Sequence, residues 1–195
     1  MDLLEPRFVG RPAWGFTLVE LMVSVAIAGV LLAIATPSIA GLLERRRIIA
    51  VAEEVAGMFS FAKSEANTLG SKLTMNLQDT LDGRSSCMRL VTAATIDTCR
   101  CDVADADFCQ GSSSRLLREL IVPQDSGISF AASADWGVAG HSTSFMRNDR
   151  STSVSNLHID VTGRRTGAKL RVEYTQVGRV RTCSPDGSIS GYPRC

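Results

Sequence analysis

The sequence predicts an α+β protein in which one long N-terminal helix, first transmembrane and then amphipathic, packs on a β-rich globular domain of antiparallel sheets. Three observations carry this prediction. Residues 21–43 contain no charged side chain and are dominated by Leu, Val, Ile and Ala, a length sufficient for a helix to cross a bilayer. The next segment places Ile48, Val51, Ala52, Val55, Met58, Phe59, Ala62, Ala66 and Leu69 at helical spacing, with Glu53, Glu54, Lys63 and Glu65 between them. Beyond Gly70 the pattern changes to short alternating or β-branched runs separated by turn residues, which is the signature of sheet.

The apolar stretch is opened by Gly15-Phe16-Thr17-Leu18-Val19-Glu20. Glu20 sits about a turn inside the span, where an ionised carboxylate costs about 2.5 to 3.5 kcal/mol on insertion scales, so it requires a partner in the membrane. Its own helix supplies no cation. A cleaved secretory signal or an ordinary signal anchor leaves Glu20 without a purpose. Ahead of Gly15, Arg7 and Arg11 are the only cations and are offset by Asp2 and Glu5. This weak bias still favours a cytoplasmic N-terminus. Pro37 is compatible with a membrane helix and is expected to kink it.

At these residues the sequence resembles the type IV pilins and pseudopilins, whose signature is a Gly, then Phe-Thr-Leu-Val/Ile-Glu, then a hydrophobic helix. The resemblance implies cleavage by prepilin peptidase after Gly15 and N-methylation of the new terminus at Phe16. It also implies pairing of Glu20 with the amino terminus of a neighbouring subunit. The implied organisation is a prepilin leader over 1–15, a transmembrane and assembly half-helix over 16–43, and the rest of the helix with the globular domain over 44–195. The chain departs from the usual pattern directly before Gly15, where Pro12-Ala13-Trp14 replaces basic residues. The implied location is the inner membrane, single-pass with the globular domain periplasmic, and then the pilus at the cell surface.

After the span, Glu44-Arg45-Arg46-Arg47 reads as a juxtamembrane anchor or a solvated face. The amphipathic helix runs to about Leu69, with Gly70 as its stop. Candidate strands cover 72–77, 88–92, 128–131, 142–146, 153–161, 168–176 and 179–183, with Asp82-Gly83 and Thr162-Gly163-Arg164 as turns. The polar 99–114 stretch reads as a stapled loop. The six cysteines Cys87, Cys99, Cys101, Cys109, Cys183 and Cys195 all lie beyond the span, which reads as a disulfide set in an oxidising compartment. The expected pairing is Cys183 with Cys195, and two bridges among the other four. Cys99-Arg100-Cys101 is half of a metal site whose second half is missing, so no metal is expected.

Formal net charge is only +1, but it is unevenly placed. From 161 to 195 the cations Arg164, Arg165, Lys169, Arg171, Arg179, Arg181 and Arg194 face only Glu173 and Asp186. Phe61-Ala62-Lys63-Ser64-Glu65-Ala66 and Gly178-Arg179-Val180-Arg181 narrow the resemblance to the FimT and GspH class of minor pilins and pseudopilins. FimT-like pilins of natural transformation carry a Gly-Arg-x-Arg motif that contacts DNA, and the resemblance implies that role for Gly178, Arg179 and Arg181. The chemistry agrees. Gly178 permits a turn that a side chain would crowd, and residues two apart on a strand share a face, about 6 to 7 Å apart. Guanidinium forks suit phosphate, and counterion release gives affinity without sequence preference. Arg164, Arg165, Lys169, Arg171 and Arg194 are expected to extend the track, with Arg194 held near Arg179 and Arg181 by a Cys183 to Cys195 bond. Tyr192 reads as packing rather than as a base-stacking platform.

His141 and His158 fall in no catalytic or metal motif, so the chain reads as a non-enzyme without cofactor. The resulting expectation is a minor type IV pilin that binds extracellular DNA for uptake in natural transformation, with other minor and major pilins as partners. The alternative is an assembly-only minor pilin or a GspH-like pseudopilin of type II secretion without DNA binding.

Overall fold

The computed structural model describes residues 15–79, 85–92, 114–135, 141–147, 153–175 and 178–195. The leader before Gly15, the Asp82-Gly83 turn, residues 99–113 of the expected loop with Cys99, Cys101 and Cys109, and the side chain of Pro37 lie outside the described residues. The chain divides into two compact units, Met1–Ala40 and Gly41–Cys195.

Helix α1 spans Leu18–Leu69. Thr17 starts it: its hydroxyl accepts the Glu20 amide at 3.2 Å and its carbonyl accepts the Leu21 amide at 3.1 Å, which satisfies donors that a helix N-terminus otherwise leaves orphaned. Within the first unit the helix shows its apolar side chains to solvent, with Leu18, Val19, Leu21, Val25, Leu31 and Leu32 between 59% and 75% exposed. Among the described residues no single helix is long and apolar enough to cross a membrane; Leu18–Ile34 and Ile39–Leu69 meet that test together. Gly70 ends α1 with φ 63°, its amide bonded to the Ala66 carbonyl, the left-handed stop that glycine adopts at least cost.

In the second unit the helical stripe is core, as its spacing predicts. Ile48, Ala52, Val55, Met58, Phe59, Ala62 and Ala66 are all fully buried. Leu69, expected in the same stripe, is 43% exposed, because the helix ends there and has no sheet left to cover.

Among the described residues eight strands follow in two antiparallel sheets. The first, in the order β3-β2-β1-β5, is built from β1 Leu73–Asp79, β2 Ser85–Val91, β3 Leu116–Pro123 and β5 Ser142–Phe145. The second, in the order β4-β6-β7-β8, is built from β4 Ile128–Asp135, β6 Ser155–Gly163, β7 Lys169–Tyr174 and β8 Val180–Cys183. Strand β3 is not among the expected ones. Residues 116–120 read Leu-Leu-Arg-Glu-Leu, a pattern equally at home on a helix, and only pairing with β2 makes the segment a strand.

Both sheets contribute apolar side chains to the core, in clean alternation along β6 and β7, so one hydrophobic cluster joins Leu73, Met75 and Leu77 of β1 with Leu157, Ile159 and Val161 of β6 and the helix stripe. Phe59 of the helix, Phe145 of β5 and Tyr174 of β7 meet with ring centroids 5.5 to 6.3 Å apart. Removing the Phe59 ring would cost about 3–5 kcal/mol, the range for a buried aromatic truncated to Ala. The helix approaches β6 so closely at Gly163 that an added Cβ there would lie 2.8 Å from Ile48 Cδ1 and 2.9 Å from Glu44 Cδ.

Candidate functional site

Strands β7 and β8 form the hairpin that presents the Gly-Arg-x-Arg segment. The Gly178 amide donates to the Thr175 carbonyl at 2.8 Å, and the Thr175 amide donates to the Arg179 carbonyl at 2.9 Å. The Arg179 amide is held by the Thr175 hydroxyl at 3.1 Å. This closure needs Gly178 at φ 77°, a conformation strained for residues with a Cβ. Past the turn, register sets direction. Val180 stands opposite Tyr174 and Thr182 opposite Val172, on the inner face, so Arg179 and Arg181 project together from the outer face and are both exposed. Neither forms an ion pair with a described residue. Arg181 is opposite Glu173 in the register, and its Nη2 donates to the Arg194 carbonyl at 3.4 Å.

The C-terminal tail is stapled beside these arginines. Cys183 and Cys195 are disulfide-bonded with Cα atoms 5.1 Å apart, and the Ser184 amide bonds the Pro193 carbonyl at 2.8 Å. The pairing expected for these two cysteines is therefore present. Cys87 is also disulfide-bonded, with its partner outside the described residues. Ile189 is buried and Tyr192 packs against the core. Burial, then the charge of Glu53, pushes the Tyr192 phenol up. Arg194 is near Arg181 through its carbonyl only, since its guanidinium leans over Gly187. Glu173, Cys183 and Cys195 bring ligand-type atoms within 4.8 Å of one another, but both sulfurs are in the disulfide and neither is a thiolate that could hold a metal.

The remaining cations are not brought into one track. Arg171 forms a bidentate pair with Asp160 at 2.7 and 2.9 Å, and Lys169 approaches the same carboxylate at 3.8 Å. Lys169 and Arg171 do share a face, as strand parity predicts, but that face already carries their counter-ion. Burial pushes the Asp160 carboxyl up, and the Arg171 guanidinium with Lys169 outweighs it, so the group lies below the ordinary carboxylate range. Arg164 and Arg165 occupy the β6–β7 turn, where Arg164 Nη2 donates to Gln124 Oε1 at 3.0 Å. That turn is at the opposite end of β7 from Arg179, about 17 Å away along a six-residue strand.

Two carboxylates that hold neighbouring cations and backbone escaped sequence reasoning. Asp160 could have been found by its outward parity with His158 and Thr162. Glu44 had no such signal: its Oε1 accepts the Arg165 amide at 2.7 Å and its Oε2 the Thr166 amide at 2.8 Å, more than a hundred residues away in sequence. At the N-terminus, Gly15 and Phe16 precede the helix, with Phe16 81% exposed. Glu20 forms no ion pair with a described residue.

Residues 15–36 match the family model described as the prokaryotic N-terminal methylation motif. No curated protein sequence matches the chain significantly. Among solved structures, the chain is similar to the type IV minor pilin FimU of Pseudomonas aeruginosa strain PAO1, at 14% identity over 71% of this chain and 89% of that one, with a TM-score of 0.45. It is also similar to the minor pseudopilin EpsH from the type 2 secretion system of Vibrio cholerae, at 11% identity over 70% of this chain and 95% of that one, with a TM-score of 0.46.

Proposed function

We propose that the chain, which carries the N-terminal methylation motif over residues 15–36, is a minor subunit of a type IV pilus that captures DNA with its β7–β8 hairpin. In this reading prepilin peptidase cleaves after Gly15, Phe16 is methylated, and Glu20 pairs with a neighbouring subunit's amino terminus. The exposed apolar half of α1 is held in the inner membrane and then in the filament, among other minor and major pilins. The globular domain is outside, where disulfides persist.

The observation that carries the DNA reading is the pair Arg179 and Arg181: exposed, on one strand face, fixed by a glycine turn and a stapled tail, and without an ion-pair partner among the described residues. Two guanidinium forks so placed bind successive phosphates without reading bases. Arg194, Arg164 and Arg165 contribute to the surrounding field rather than to the contact, and Lys169 and Arg171 are held by Asp160.

The competing reading is an assembly-only pilin or a secretion pseudopilin. In cells, Arg179→Ala/Arg181→Ala is expected to abolish DNA uptake while leaving filaments intact, and Glu20→Ala to abolish both. Uptake unchanged in the double arginine variant would leave the assembly role, and a block in protein export on deletion, with DNA uptake spared, would identify a secretion subunit.

A further inference from the structure

A cleft of about 260 Å³ opens beside the arginine pair, lined by Asn156, Leu157, His158, Glu173, Tyr174 and Thr175. It shares the residues that fix the hairpin. Thr175 bonds Arg179 through both its amide and its hydroxyl, and Glu173 is the register partner of Arg181 on one side and of His158 on the other. The cleft is therefore built on the same backbone frame that carries both arginines.

Its walls have a consistent chemistry. Leu157 and Tyr174 reach it from the apolar face of the sheet and His158 and Glu173 from the polar face. The His158 ring is positioned by a 3.0 Å contact between Nδ1 and the Asn156 carbonyl. Asn156 itself is held at φ 53° by a 2.7 Å bond from its Nδ2 to Asp135. The volume of about 260 Å³ is ample for one planar nucleobase with water beside it. The half-buried His158 ring offers the stacking surface for a base, since Tyr174 is buried against Phe59 and Phe145, and a carboxylate acceptor favours bases with an exocyclic amino group, as in pairing of Glu with the N4 amine of cytosine.

Resting on the DNA reading of the hairpin, we infer that this cleft takes one unpaired, amino-bearing base of a single strand whose phosphates lie on Arg179 and Arg181. A duplex cannot deliver that base without unpairing it. Single-stranded DNA is thus the preferred ligand, and cytosine or adenine is preferred over thymine at one position.

The test is fluorescence titration of the full chain in non-ionic detergent with labelled oligo-dC, oligo-dT, an abasic strand of equal phosphate number, and a duplex. The wild type is expected to bind oligo-dC about ten-fold tighter than the abasic strand, the order of one base stack, and several-fold tighter than oligo-dT. Glu173→Gln is expected to equalise oligo-dC and oligo-dT without weakening the abasic strand, because it exchanges one of the two acceptor oxygens for an amide donor and removes a negative charge from beside Arg181. His158→Ala is expected to bring both base-bearing strands close to the abasic level. Equal binding of all four ligands by the wild type, lost together in Arg179→Ala/Arg181→Ala, would overturn the base cleft and leave the phosphate reading standing. A dC preference unmoved by either cleft variant would equally overturn it. No binding of any strand would remove both.

Discussion

Glu44 is the side chain whose loss should most clearly separate the helix from the sheet it holds. Its carboxylate is 8% exposed and accepts two backbone amides from the β6–β7 turn, at 2.7 and 2.8 Å. Hydrogen bonds to a charged group contribute about 1.5–3 kcal/mol each, but Arg165 and Thr166 are exposed, so water replaces part of what is lost. Glu44→Ala should then cost about 2–3 kcal/mol in total, and Glu44→Gln, which keeps one acceptor oxygen, about 1–2 kcal/mol. Burial pushes the Glu44 carboxyl up; bonds from the Thr166 hydroxyl and the Arg165 and Thr166 amides, with the Arg165 charge, outweigh it and hold the group below its ordinary value. A carboxyl lowered on folding contributes stability that is present above its unfolded pKa and lost as the pH falls through the folded one. Urea unfolding of Gly41–Cys195, the unit that contains the whole core, would therefore show wild type above Glu44→Gln at about pH 7 and the two converging below the ordinary carboxylate range of about 4. A gap of the same size on both sides of that range, or none at neutral pH, would refute the charged cap.

Three further perturbations follow from the same contacts. Gly163→Ala places a methyl group 2.8 Å from Ile48 Cδ1 and 2.9 Å from the pinned Glu44 Cδ, and should cost about 1–3 kcal/mol by overpacking, read as a lower thermal midpoint. Cys195→Ser opens a bond that closes a separation of 12 residues, worth about 3 kcal/mol by the loop-entropy estimate, and denaturant titration should show this loss in the oxidised protein. Asp160→Asn releases Arg171 and Lys169 onto the outer face: stability should fall by about 1 kcal/mol, and only at pH above the ordinary Asp range, since the folded Asp160 pKa is lowered. DNA affinity should rise with a steeper salt dependence, and an unchanged salt slope would show that those cations stay out of reach.

What was legible in the sequence was whatever depends on neighbours a few residues apart. The helix stripe from Ile48 to Ala66, the Gly70 stop and the shared face of Arg179 and Arg181 are all consequences of backbone period, and each is present. The Cys183–Cys195 bond, a short closure, is present as well. Features set by register between distant strands were not legible. Asp160 meets Arg171 only because β6 and β7 pair with Asp160 opposite Arg171, and this converts an expected DNA contact into an internal ion pair. Glu44 appeared as part of a charged cluster after the apolar span, and nothing local marks it as the cap of a turn near Arg165. Strand β3 was hidden because Leu116 to Leu120 satisfies a helical period as well as an extended one. The cations from 161 to 195 are expected to form one track because charge counted along the chain carries no information about the two ends of β7.

The central claim, DNA capture by the β7–β8 hairpin, is tested most directly by the salt dependence of binding. The full chain in non-ionic detergent would be titrated with labelled DNA at several salt concentrations beside Arg179→Ala/Arg181→Ala. The account predicts salt-sensitive binding by the wild type, and in the double variant a weaker affinity with a log–log salt slope shallower by about two, one for each phosphate contact removed. Binding with the same affinity and slope in both proteins, or no binding by the folded wild type at low salt, would contradict it.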